Sequence, residues 1–75
     1  MIWSKIEDLI PILNKYIQTN KFESFISRVG VYSDQYEKIV NLELLKQIKK
    51  CIPQLNLDDK VFWISKINEL ILRIK

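Results

Sequence analysis

Cys51 is the one cysteine of this 75-residue chain, and the chain has no histidine. Nucleophilic catalysis needs a nucleophile beside a base. Cys51 instead shares a helix face with Leu44, Leu45, Ile48 and Ile52, so it is read as a small core hydrophobe. Zinc sites need Cys or His at set spacing, and calcium loops need alternating oxygen ligands around a glycine. Neither pattern occurs. The acidic pairs Glu7–Asp8 and Asp58–Asp59 could act as paired carboxylates. Both fall in first helical turns, where acids balance the helix dipole. No catalytic residue, metal or cofactor is expected, and the chain is read as a non-enzyme.

Three signals remain. The stretch "LLKQIKK" places Lys46, Lys49 and Lys50 opposite the apolar face of its helix, which suits nucleic acid, a protein partner or plain solvent. A base-reading helix would add Arg, Asn or Gln, and only Gln47 is nearby. The turn "CIPQLNLDD" that follows is also long for a helix-turn-helix. Trp3 and Trp63 are aromatic residues of the kind that rim a core or anchor a partner. Finally, "FISRVGVYSD" holds the only glycine, Gly30. With no phosphate-loop pattern around it, Gly30 is expected to stop a helix in the left-handed conformation, with Ile26 and Val31 closing a Schellman ending.

The elements that must position these residues are helical throughout. "SKIE" at Ser4–Glu7 is a capping box, and Ile6, Leu9, Ile10, Leu13, Tyr16 and Ile17 then mark one helix face. Pro11 should kink or split this first helix near Leu9–Pro11. Asn20 with Glu23 resembles a second cap, before the face of Phe22, Phe25, Ile26 and Val29. Asp34 with Glu37 caps a third stretch. There Tyr36, Ile39 and Val40 lie roughly a quarter turn from the face of Leu44, Leu45, Ile48, Cys51 and Ile52. The mismatch predicts two short helices, or one bent helix, either side of Asn41, ended by Pro53. Asp58 is expected to cap the last helix, with Leu57 and Phe62 as a hydrophobic staple. The apolar arc of that helix, from Val61 and Trp63 to Ile74, covers about 180–200°, which predicts a central position.

The totals agree with one small domain spanning residues 1–75. Hydrophobic residues make up 48% of the chain, and Ile, Leu and Val supply 26 of the 75 positions. A chain this short has little interior in which to hide them. Net charge is +3, without a basic run. The start "MIWSKIEDLIPIL" lacks the form of a signal peptide, and no apolar run is long enough for a membrane span. A soluble cytoplasmic protein is expected, with no membrane role.

These readings predict an all-α, compact bundle of four to five short helices. Its short helices, bending first helix and capping turns resemble the death-fold interaction domains. That resemblance is one of layout, and those domains have six helices. The expected function is non-enzymatic protein–protein binding, as a self-associating adaptor module or a small inhibitor or immunity-type protein. Trp3, Phe62, Trp63, Lys46, Lys49, Lys50, Asp58 and Asp59 are the candidate contacts. The partner is expected to be the chain itself, another protein, or both. A homo-oligomer could pair acidic helix starts with the lysines head to tail, or pair the Trp63 patch about a two-fold axis. The alternative is a small nucleic-acid-binding regulator that uses the Lys46, Lys49 and Lys50 face.

Overall fold

The computed structural model describes residues 6–74. Four α-helices follow in order: α1 (Ile6–Gln18), α2 (Phe22–Val29), α3 (Gln35–Cys51) and α4 (Lys60–Ile74). A 3₁₀ turn, Ile52–Gln54, extends α3. No strand occurs among the described residues. The described residues form a small all-α bundle with four α-helices, where death-fold domains have six.

Helix α1 is not split at Pro11. Proline deprives the Glu7 carbonyl of its amide partner, but Glu7 and Pro11 are both exposed, so water can serve that carbonyl. Leu9 and Leu13, on the opposite side, are fully buried and anchor the helix on the core. The Ser4 half of the expected capping box lies outside the described residues.

The first turn corrects two expectations together. Asn20 does not cap α2; it ends α1. Among the described residues it alone has positive φ, 62°. Its amide donates to the Ile17 carbonyl at 3.1 Å, and the Lys21 amide donates to the Tyr16 carbonyl at 2.8 Å. This pair of bonds is the Schellman ending, with Asn20 as its left-handed residue. Asparagine tolerates that conformation better than most residues. Lys21 therefore precedes α2, with no side chain capping the helix.

Gly30, by contrast, is not left-handed. Its φ of −75° and ψ of −6° are ordinary helical values. Helix α2 ends by tightening: the Gly30 amide donates to Ile26 at 3.2 Å and the Val31 amide to Arg28 at 3.1 Å. Val31 points to solvent, so the apolar contact with buried Ile26 expected of a Schellman ending is not made. The reason for glycine is tertiary. A Cβ at position 30 would lie 3.0 Å from Leu70 Cδ2 on α4. Near the other end of α2, the Phe22 ring meets Trp63 edge-on at 4.8 Å. The two contacts follow the same chain order, so α2 and α4 lie side by side in the same sense.

Helix α3 is one continuous helix rather than two. Asn41, where a break or a bend was expected, donates its side-chain amide to the Val31 carbonyl at 2.9 Å and ties down the α2–α3 loop. Beyond Cys51, Ile52 keeps helical geometry despite preceding proline, and the backbone becomes extended only at Leu55. Helix α3 is also the central element. It packs on α1, α2, α4 and the 3₁₀ turn. Helix α4 touches α3, the 3₁₀ turn and, through Trp63, α2, as expected of it, but its buried arc is narrower than its composition suggested. Only Ile67, Leu70, Ile71 and Ile74 are buried on α4, an arc of about 100°. Val61, counted as apolar arc, is exposed.

Asp59, not Asp58, caps α4: its carboxylate accepts from the Phe62 amide at 3.1 Å. The shift by one residue moves Phe62 off the staple position and into water, 51% exposed. The preceding loop is held from both sides. The Asn56 amide donates to Asn14 Oδ1 on α1 at 3.0 Å, and Lys60 Nζ donates to the Pro53 carbonyl at 2.8 Å. The core itself is wholly apolar, with no buried polar or charged side chain among the described residues. Each fully buried Leu or Ile there stabilises the fold by roughly 1.5–3 kcal/mol relative to exposure.

Candidate interaction surface

The first two turns of α3 contribute nothing to the core. From Val31 to Lys38 most residues are exposed, and the first buried residue of α3 is Leu44. The helix start is nevertheless well formed. Asp34 Oδ1 accepts from the Glu37 amide at 2.8 Å, as the sequence predicts, and Ser33 donates its hydroxyl to Glu37 Oε2 at 2.7 Å. A cap of this kind contributes about 1 kcal/mol, enough to help hold a turn that packing does not support.

This supported but uncovered segment carries four large apolar side chains in water: Val31, Tyr32, Tyr36 and Ile39. Tyr36, at 76% exposure, and Ile39, at 58%, are neighbours one turn apart on α3. Lys38 Nζ stands 5.9 Å from the centre of the Tyr32 ring, within cation–π range. The outward face of α3 continues from Tyr36 and Ile39 through Glu43 to Lys46 and Lys50. Lys46 and Glu43 form an exposed ion pair at 3.6 Å, of a kind that contributes about 0–1 kcal/mol. Tyr36 to Lys50 spans about 21 Å of helix.

Tyr36 and Ile39 were absent from the candidate contacts read from sequence, although their signal was visible. The offset between the two apolar faces of α3 predicts two short helices or one bent helix. With the helix unbroken, the same offset leaves the first face outside the bundle.

The other candidates fall in separate places. Lys46, Lys49 and Lys50 are exposed on the last turns of α3. Trp63 is half-buried on the core rim, edge-on to Phe22 on one side and to Phe62 at 5.2 Å on the other. Asp58 is exposed, and Asp59 is engaged as a cap. Trp3 lies outside the described residues. Cys51 is fully buried, and burial pushes its thiol pKa above the ordinary value, which disfavours a reactive thiolate. A shallow, open cleft lined by Pro11, Asn14, Lys15, Ile17, Gln18 and Asn56 gathers no acid–base pair. No group of three or more acidic or cysteine side chains could hold a metal among the described residues. No described helix is long and apolar enough to cross a membrane.

Among the described residues the fold is a small all-α helical bundle that leaves large apolar side chains exposed at the start of α3 and, on α4, at Val61, Phe62 and Leu72. No family model, curated protein or solved structure matches the chain.

Proposed function

We propose that the chain is a non-enzymatic protein–protein interaction module acting in the cytoplasm. One observation carries this reading: the start of α3 is capped and tied down, yet it exposes Val31, Tyr32, Tyr36 and Ile39 together. Large apolar side chains gathered in water on one short segment are candidates for a contact site, and tyrosine is a favoured anchor in such sites. Burial of the Cys51 thiol, which raises its pKa, supports the non-enzymatic half of the reading.

The test is capture of partners from the native host by the intact protein, with and without nuclease. A protein retained after nuclease treatment, and lost with Ile39→Glu, supports the module. Retention that is unaffected by changes at Tyr36 and Ile39 overturns the assignment of the site. The exposed lysines Lys46, Lys49 and Lys50 favour the second reading, a small nucleic-acid-binding regulator. That reading requires a mobility shift with DNA or RNA at low salt that weakens steeply as salt rises.

A further inference from the structure

We infer that the first half of α3, residues 35–43, is an order–disorder element: it melts and reforms with the loop before it while the rest of the bundle stays folded. The inference concerns folding and holds whether or not a partner binds there.

Packing divides α3 at one point. Residues 31–43 include no buried side chain, and of their apolar side chains only Leu42 packs partly against the core. From Leu44 onward the helix carries Leu44, Leu45, Ile48 and Cys51, all buried. The side-chain contacts that brace the first half are equally local. The Asp34 carboxylate accepts from the Glu37 amide, the Ser33 hydroxyl donates to Glu37, and Asn41 donates to the Val31 carbonyl. The Lys38 ammonium approaches the Tyr32 ring. Both ends of each contact lie within residues 31–41, so none ties the segment to α1, α2 or α4. The three hydrogen bonds are exposed, and water competes for them.

The residues themselves favour a helix only weakly. Tyr36, Ile39, Val40 and Asn41 rank low as helix formers, and the adjacent branched pair Ile39 and Val40 loses rotamer freedom in a helix. Reforming the segment needs no nucleus, because it extends a helix already held from Leu44. It therefore opens and closes readily, with the folded form favoured by about 10- to 100-fold. The intact bundle is favoured over the unfolded chain by about 10³-fold or more. The Asp34 cap and the bond from Asn41 to Val31 set the balance of the segment without touching the core.

Native-state amide hydrogen exchange of the full chain tests this. Amides of residues 38–43 should be at least about tenfold less protected than those of residues 48–51, whose helical acceptors lie in the packed half. Asp34→Ala should speed exchange at residues 38–43 by about fivefold. Ile67→Val separates local from global opening, because Ile67 is fully buried on α4. It should speed exchange at residues 48–51 by about fivefold and leave residues 38–43 unchanged. Ile39→Pro, which breaks helical geometry inside the segment, should remove the helical signal of residues 35–43 and leave the bundle folded. Equal acceleration of both sets of amides by Ile67→Val overturns the inference. So does protection at residues 38–43 that matches residues 48–51, or outright unfolding of the Ile39→Pro protein.

Discussion

Gly30 and Leu70 meet so closely that a Cβ on residue 30 would lie 3.0 Å from Leu70 Cδ2. The glycine is there for the neighbouring helix, not for its own backbone, whose φ of −75° any residue can adopt. Gly30→Ala should gain about 0.4–1 kcal/mol through the unfolded chain and lose a comparable amount by displacing Leu70. In wild type the net change should stay within about 1 kcal/mol of zero. Leu70→Ala alone should cost about 2–5 kcal/mol. In that background Gly30→Ala should become stabilising, because the crowding methyl has gone. Denaturant unfolding of the four proteins of this cycle gives the coupling directly, and identical effects of Gly30→Ala in both backgrounds would refute the close contact.

Asn20 carries the positive φ that was expected of Gly30. Asn20→Gly should leave stability equal or raised by a few tenths of a kcal/mol, because glycine bears no Cβ penalty there. Asn20→Val should cost about 1–2 kcal/mol, since a branched side chain resists the left-handed conformation. Thermal unfolding of the two variants is sufficient. Were both harmless, Asn20 would not be the residue that ends α1.

Two adjacent acids make a clean comparison at the start of α4. Asp59→Ala removes the acceptor for the Phe62 amide and should cost about 1 kcal/mol. Asp58→Ala removes an exposed side chain and should cost less than about 0.5 kcal/mol. The difference in urea midpoints measures the cap, and a larger effect at Asp58 would place the cap one residue earlier.

Cys51 links stability to pH. Its thiol pKa is raised above the ordinary 9.0 in the folded protein by desolvation. Below the unfolded value both states hold the proton, and the contribution of the buried thiol is complete. As pH rises past about 9 the unfolded thiol ionises while the folded one stays protonated, so stability falls. The stability advantage of wild type over Cys51→Ala should therefore shrink as pH climbs past that value. The difference between the two proteins as a function of pH is the readout. A constant difference between pH 7 and about 10.5 would contradict the burial argument.

Short-range regularities made much of this molecule legible in advance. Apolar spacing at three and four residues marks all four helices, because helical geometry repeats over a few bonds. The Asp34 cap depends on residues only three apart, and the bond it predicts is present at 2.8 Å. The burial of Cys51 follows from its place among Leu44, Leu45, Ile48 and Ile52 on one face, all of them buried.

What only the tertiary structure decided concerns residues far apart in sequence. The cause of Gly30 lies 40 positions away at Leu70. Asn41 reaches back to Val31 instead of breaking its helix. Offset apolar faces on α3 are equally compatible with a break that buries both and with a continuous helix that buries one. Local periodicity carries no information on which neighbour fills the space beside each turn. Here α1, α2 and α4 take the Leu44–Ile52 face, and Tyr36 and Ile39 are left in water. The exposed surface on which the proposed function rests is thus what remains after long-range packing is satisfied.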